Sequence, residues 1–179
     1  NMREIALKLG ADLPFFLYSG FYQRNFILMS GIGENILAHS TDQKITTKDQ
    51  KKYFLLLINP LKKIQTSSCF QQYQKLKKNY SSKLTGEEIS NLFNSNHDIT
   101  CLISSSVKYK NDLEAAAMTI LPEISTIIMA LKKQEGCIMA RLSGSGATCF
   151  GIFATYLDLI IAYRKIYRDD WWFYYDQLC

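Results

Sequence analysis

The spacing of apolar residues along the chain predicts alternating helices and strands. In residues 2–9, Ile5 and Leu9 are four residues apart, as on one face of a helix, and Gly10 follows as a stop. Residues 53–58 form a continuous apolar run that ends at Asn59-Pro60, which is typical of a buried strand. Further helices are predicted at 67–78, 113–134 and 157–167, with a helix start at 85–88, and further strands at 26–29, 137–142, 149–154 and 171–175. Such interleaving predicts an α+β layered fold.

Breaks in this pattern predict how the chain is divided. Residues 13–17 are a short apolar run interrupted by Pro14. Pro122 falls inside the helical stretch 113–134 and should kink or divide it, because proline lacks the backbone donor. Asn111 and Asp112 precede that stretch and can cap it. The polar stretch 40–52 has the composition of a linker and marks the best candidate for a domain boundary.

Composition narrows the class of protein. Of the 179 residues, 47% are hydrophobic, so burial can offset the entropy of ordering, and disorder is excluded for most of the chain. The 9 glycines and 3 prolines exclude collagen-like and low-complexity proteins. No apolar window approaches the roughly 18 residues of a membrane span, and the first residues lack a signal-peptide core. We therefore predict a soluble, cytoplasmic protein.

The cysteines and histidines form no metal or disulfide pattern. The cysteines are odd in number and far apart, with no CxxC pair and no histidine at ligand spacing. They are Cys69, Cys101, Cys137, Cys149 and Cys179. We predict reduced thiols and no metal site, and we interpret His39 and His97 as surface or structural histidines.

Positive charge is concentrated in one part of the sequence. The net charge is +5, and the segment Lys44 to Lys83 contains ten lysines and no arginine, with Asp49 as its sole acid. Such a segment attracts polyanions, either a nucleotide or a nucleic acid. The alternative is an ordinary solvated surface rich in lysine.

Two loops carry candidate chemistry. Between the strands predicted at 137–142 and 149–154, glycines alternate in Ser143-Gly144-Ser145-Gly146, so several N–H groups can point at one anion. It is neither a Walker A nor a Rossmann sequence, and a tight hairpin is the alternative. Asp12 lies between apolar residues in Gly10 to Phe16, where it could orient an alcohol and accept its proton or simply serve a turn.

Four sequence blocks in a fixed order point to a known family. They are LGADLPFFL at 9–17, SGIGE at 30–34, NDLE at 111–114 and LSGSGATCFGIF at 142–153. The series Pro60, Thr66 and Phe70 adds a proline, a threonine and an aromatic at matching spacing. Together they resemble the GHMP kinase superfamily over nearly the whole chain. The resemblance is strongest to the branch that acts on 4-diphosphocytidyl-2-C-methyl-D-erythritol.

The resemblance implies a fold and a reaction. The implied fold is α+β, with residues 1–45 as the tail of an S5-like N-terminal domain and 46–179 as a ferredoxin-like C-terminal domain. The implied reaction is ATP-dependent phosphorylation of the substrate's 2-hydroxyl, in isoprenoid precursor synthesis by the non-mevalonate pathway. Mg²⁺ would be carried by ATP. The implied partners are this substrate and ATP; a membrane is not expected, and a nucleic acid is disfavoured.

The resemblance also assigns roles to residues. Asp12 matches the aspartate thought to activate the hydroxyl, and Phe70 matches an aromatic that packs against the cytosine, with Thr66 in the same segment. The third superfamily motif, which supports phosphate binding, matches Ser143, Gly144, Ser145 and Gly146. Stacking of a base on an aromatic ring contributes about 1–3 kcal/mol, which agrees with the role of Phe70.

Two departures qualify these expectations. The family's Pro-Gly is Pro60-Leu61 here, followed by Lys62-Lys63, and this bulkier, more basic loop could alter substrate fit. The family's lysine-bearing N-terminal strand and its principal ATP loop precede the matched region. We therefore expect apolar residues within 13–28 to lack their usual cover, and the chain alone to be inactive or to need a complementing N-terminal fragment. The alternative function is a catalytically dead remnant, or a nucleotide- or nucleic-acid-binding module that uses the Lys44–Lys83 segment.

Overall fold

Helices and strands alternate through a computed structural model that describes residues 2–10, 13–22, 27–30, 35–39, 52–76, 80–93 and 99–178. The helices are α1 (Met2–Leu9), α2 (Leu13–Tyr22), α3 (Thr66–Lys75), α4 (Gly86–Phe93), α5 (Ile99–Ser106), α6 (Glu114–Ile120), α7 (Glu123–Lys132) and α8 (Tyr156–Ile166). The strands are β1 (Ile27–Ser30), β2 (Asn35–His39), β3 (Tyr53–Asn59), β4 (Cys137–Leu142), β5 (Cys149–Phe153) and β6 (Trp172–Leu178). The α+β prediction is confirmed.

The chain divides into two compact units. The first contains residues 1–50 and 83–105, and the second contains 51–82 and 106–179. Each unit is described by itself below. The assignment of residues 1–45 and 46–179 to an S5-like and a ferredoxin-like domain remains a prediction.

An antiparallel sheet with the order β4-β5-β3-β6 forms the centre of the second unit. Helices α7 and α8 pack on this sheet, and α3 packs against α6. On β3, Leu56 and Ile58 are fully buried, as expected for alternate residues that face a helical layer. Each such side chain contributes about 1.5–3 kcal/mol on burial. Gly151 on β5 allows α7 to approach closely, since a Cβ there would lie 2.9 Å from Leu131 Cδ2.

Proline and capping residues set the helix boundaries. The stretch 113–134 is divided as predicted: α6 ends at Ile120 and α7 begins after Pro122. The predicted start at 85–88 is also confirmed, because Glu88 accepts a hydrogen bond from the Thr85 N–H and donates its own N–H to the Thr85 hydroxyl. These helix boundaries therefore lie where the sequence changes the backbone hydrogen bonding: Pro122 has no N–H to donate, and the side chains of Thr85 and Glu88 accept each other's N–H.

The first unit contains the antiparallel pair β1-β2, with α1 packed against α2 and α4 packed against β2. Residues 13–17 extend into a ten-residue helix, α2, because Pro14 occupies its first turn, where proline is tolerated. Leu13 and Phe16 on this helix are exposed, by 38% and 63%. Two elements, β2 and α5, were not predicted. None of the helices in the described ranges is long and apolar enough to cross a membrane.

Candidate functional site

The loop from Ser143 to Thr148, here called the glycine loop, connects β4 to β5. Its ends are closed by a hydrogen bond from the Ser143 N–H to the Thr148 carbonyl at 2.9 Å. The Gly146 N–H donates to the Ser143 carbonyl at 3.0 Å. Gly144 and Gly146 have φ angles of 55° and 96°, conformations that favour glycine, so the alternating glycines are required by this turn.

The interior of the glycine loop leaves no room for a larger residue at one position. A Cβ on Gly146 would lie 3.1 Å from Leu142 Cδ1, and Ile124 and Ile64 are close behind. A Cβ on Gly144 would meet open space. Gly146 therefore packs against the core, whereas Gly144 faces outward.

The glycine loop retains backbone donors. Among the described residues, the N–H groups of Gly144 and Ser145 make no hydrogen bond. The loop therefore offers N–H donors for an anion, which is the chemistry expected of a phosphate-binding loop.

Helix α3 brings the predicted substrate segment to this loop. The Thr66 hydroxyl, at the first residue of α3, lies 3.0 Å from the Ser145 hydroxyl. Gln65 caps the helix without a side-chain hydrogen bond, and the first turn carries no acidic residue. The amino end of α3 therefore adds partial positive charge beside Ser145.

Phe70 lies one helical turn after Thr66, so the two side chains share a face of α3. The Phe70 side chain is 42% exposed, so its ring is open to a planar ligand. The structure thus brings Thr66 next to Ser145, with Phe70 one turn further along α3. Their roles toward a ligand remain a prediction.

A groove of about 550 Å³ adjoins the glycine loop. It is lined by Asn59, Leu61, Lys62, Lys63, Ile64, Gln65, Gly146, Ala147 and Trp172. Lys62 forms an exposed ion pair with Glu123, and the hydrogen bond from Lys62 is the main reason that the pKa of Glu123 is lowered. Leu61, which replaces the family's glycine, has a φ of 57°. This departure from the family pattern therefore strains the backbone at the rim of the groove.

Cys149 is the buried thiol nearest in sequence to the glycine loop, and it is not a nucleophile at neutral pH. Burial is the largest cause that raises its pKa to about 12, so the thiol stays protonated. Cys69, Cys137 and Cys149 are free thiols. Within the described ranges, no group of three or more His, Cys, Asp or Glu residues could hold a metal ion.

Some predicted features lie outside the described residues. Asp12 is among them, as are the turn 31–34, the stretch 40–51 and His97. Of the ten lysines from Lys44 to Lys83, those described are Lys52, Lys62, Lys63, Lys75 and Lys83.

Sequence reasoning missed one part of the site. Asn111 was predicted only as a helix cap, and Glu114 only as part of a motif, yet both bond to the strand that enters the glycine loop. The NDLE motif was the available signal. Local spacing in the sequence could not show that residues of this motif bond to residues 28 to 33 positions later in the chain.

Comparison with known proteins finds a matching family model and similar sequences. The family model described as GHMP kinases C terminal matches residues 83–170. Proteins named 4-diphosphocytidyl-2-C-methyl-D-erythritol kinase are 33% identical in Rhizobium leguminosarum bv. trifolii (strain WSM2304) and 32% identical in Wolbachia sp. subsp. Brugia malayi (strain TRS). Both alignments cover 96% of this chain, but 51% and 52% of the respective relatives. The chain thus spans about half the length of the curated relatives it matches.

A solved structure supports the same conclusion about the fold. The crystal structure of a 4-(cytidine 5'-diphospho)-2C-methyl-D-erythritol kinase matches 97% of this chain and 56% of that chain, with a TM-score of 0.62 and 20% identity. At that identity the likeness concerns the fold alone. Residues 83–170 thus match the GHMP kinase C-terminal family model, and the fold of the chain matches that of the solved kinase.

Proposed function

We propose that the chain is part of a kinase that transfers the γ-phosphate of ATP to the 2-hydroxyl of 4-diphosphocytidyl-2-C-methyl-D-erythritol. The names of its relatives support this activity. The observation that carries the proposal is the 3.0 Å approach of the Thr66 and Ser145 hydroxyls, which joins the predicted substrate segment to the glycine loop.

Phosphoryl transfer needs positioning and neutralisation of phosphate charge more than covalent chemistry. In our proposal, whichever of the Thr66 and Ser145 hydroxyls accepts their mutual hydrogen bond donates its own hydrogen to a phosphate oxygen, and the N–H groups of Gly144 and Ser145 add two further donors. Phe70 stacks on the cytosine ring. The exposed ammonium of Lys63, in the adjoining groove, adds positive charge.

The remaining steps rest on the resemblance. Asp12 would orient the 2-hydroxyl and accept its proton as the phosphoryl group arrives. Mg²⁺ would enter on the phosphate oxygens of ATP and neutralise their charge. Of the described lysines in the basic segment, Lys62 is paired with Glu123, and the binding-module alternative remains a prediction.

Calorimetric titration of the purified chain with 4-diphosphocytidyl-2-C-methyl-D-erythritol tests the substrate site. Phe70→Ala should weaken binding by about 5- to 150-fold, because stacking contributes about 1–3 kcal/mol. Phe70→Tyr is the matched control and should bind like the unmodified chain, since it keeps the ring. Because Phe70 is 42% exposed, neither variant should unfold the chain. Equal affinity of Phe70→Ala and the unmodified chain would contradict the stacking role.

Turnover needs a separate assay, because the curated relatives are about twice as long as the stretch that this chain matches. The chain is assayed alone and mixed with the unmatched half of the Rhizobium leguminosarum relative, with that intact relative as positive control. Formation of the 2-phosphorylated product in either sample supports the kinase proposal. If neither sample forms product while the intact relative does, the proposed activity is wrong.

A further inference from the structure

Asn111 makes three hydrogen bonds, and two of them hold the glycine loop and its approach strand. Its Nδ2 donates to the Leu142 carbonyl at 3.1 Å and to the Gly144 carbonyl at 2.7 Å. Its Oδ1 accepts from the Leu113 N–H at 3.0 Å. The side chain is therefore fully used, and its amide orientation is fixed by its partners.

Glu114 also bonds to Leu142, the last residue of β4, but through the Leu142 N–H and not through its carbonyl. A Glu114 carboxylate oxygen accepts a hydrogen bond from the Leu142 N–H at 3.0 Å. Leu142 is thus held by its carbonyl through Asn111 and by its N–H through Glu114. Both side chains belong to the segment that starts α6, so hydrogen bonds connect this segment to the end of β4 and to the glycine loop.

The hydrogen bond to Gly144 determines which way the next N–H points. In a trans peptide the C=O and N–H groups are antiparallel, and the Gly144–Ser145 peptide is not cis. Because the Gly144 carbonyl is directed at Asn111, the Ser145 N–H is directed to the opposite side. That N–H makes no hydrogen bond among the described residues. An N–H that is held in place and has no partner among the described residues is what an anion-binding concavity requires.

We propose that Asn111, supported by Glu114, is a positioning residue that presents the Ser145 N–H to a phosphate group of a nucleotide. The inference rests on the proposed function, which assigns the glycine loop to phosphate binding. Asn111 itself touches no ligand in this account. Asn111 acts by fixing the plane of the Gly144–Ser145 peptide.

The variant Asn111→Ser separates this role from helix capping. Serine retains a neutral side-chain oxygen two residues before Leu113, where it can still accept the Leu113 N–H. It is too short to donate to the Leu142 and Gly144 carbonyls, and it adds no charge that would itself repel an anion. Ile128→Val is the matched control, because it removes one methyl group from the buried core of α7 and leaves every hydrogen bond of Asn111 in place.

The experiment titrates the ¹⁵N-labelled chain with CDP and, separately, with Mg-ATP while the Ser145 amide resonance is followed. In the unmodified chain this resonance should shift with at least one nucleotide, and the two titrations show whether a diphosphate or a triphosphate is bound. Asn111→Ser should weaken the corresponding affinity at least tenfold. Ile128→Val should change it less than twofold.

Three results would overturn the inference. They are an Asn111→Ser affinity equal to that of the unmodified chain, an equal loss in Ile128→Val, and a Ser145 resonance that shifts with neither nucleotide. Failure of the proposed function would look different. The loop would then bind nucleotide in an Asn111-dependent way, while 4-diphosphocytidyl-2-C-methyl-D-erythritol neither binds in calorimetry nor yields product.

Discussion

At the scale of single residues, the groove and the glycine loop depend on unusual backbone conformations. Gly144 and Gly146 adopt positive φ angles at no steric cost, whereas Leu61 adopts one, 57°, with a Cβ in the way. The Asn59 side chain compensates in part, because its Oδ1 accepts the Leu61 N–H at 2.7 Å and its Nδ2 donates to the Thr148 hydroxyl at 2.8 Å. Asn59 thereby ties the rim of the groove to the end of the glycine loop.

Replacement of Leu61 by glycine should stabilise the chain. A left-handed conformation costs a non-glycine residue about 1–2 kcal/mol, and glycine relieves this strain. The greater entropy of glycine in the unfolded chain offsets about 0.5–1 kcal/mol of the stabilisation. The Leu61 side chain is 67% exposed, so little burial is lost. We expect Leu61→Gly to raise the free energy of unfolding by about 0.5–1 kcal/mol in urea denaturation at 25 °C. Leu61→Ala, which keeps the Cβ, should give no increase, and an equal gain from both variants would contradict the strain argument.

At the scale of helices and strands, local signals predicted the elements whose ends are fixed by their own residues. Gly10, Pro122 and the Thr85–Glu88 pair mark helix ends in the structure as they do in the sequence. Elements fixed by distant partners were missed or shortened. Strand β6 continues to Leu178 because it pairs with the whole of β3, up to Tyr53↔Leu178, and β2 is formed by pairing with β1.

Helix α8 offers a direct test of how much a cap contributes. The Thr155 hydroxyl accepts the Asp158 N–H at 3.1 Å and donates to the Asp158 carboxylate at 2.7 Å. Thr155→Ala should lower the free energy of unfolding by about 1 kcal/mol, because the N–H loses its partner. Thr155→Ser keeps the hydroxyl and should lower it by much less. The measurement is the thermal unfolding midpoint of each variant, and equal midpoints for the two would argue against the cap.

At the scale of the whole molecule, several carboxylates of the second unit link stability to pH. At Asp112, burial favours the neutral acid, but two hydrogen bonds from Ser81 outweigh it and lower the pKa. The pKa of Glu123 is lowered mainly by Lys62, and that of Asp170 mainly by Arg168. Each group therefore binds protons less readily in the folded chain than in the unfolded chain.

The sign of the resulting pH effect follows from linkage. A carboxylate with a lowered pKa in the folded state adds stability above its ordinary pKa of about 4, and this stability is lost as pH falls through the folded-state value. We expect the urea midpoint to be level between pH 5.5 and 7 and to fall below pH 4. Asp112→Asn should be less stable at pH 6 and should show a shallower acid decline. If the urea midpoint of Asp112→Asn falls as steeply below pH 4 as that of the unmodified chain, Asp112 does not contribute to the acid sensitivity.

The architecture and the site were predictable to different degrees. The α+β layers follow from residue patterns within each segment, such as the continuous apolar run 53–58 that forms most of β3. The contact between Thr66 and Ser145, which are 79 residues apart, was not predicted: the resemblance gave each residue a role but did not place the two together. The role of Asn111 was not predicted, because neither its local spacing nor the resemblance showed that its amide would bond to the carbonyls of Leu142 and Gly144.

A crystal structure of the chain with 4-diphosphocytidyl-2-C-methyl-D-erythritol bound would test the central claim most directly. We expect the cytosine ring to lie against Phe70, with a phosphate oxygen within hydrogen-bond distance of the Thr66 or Ser145 hydroxyl. A ligand bound elsewhere on the chain, with Phe70 and the glycine loop untouched, would contradict the account.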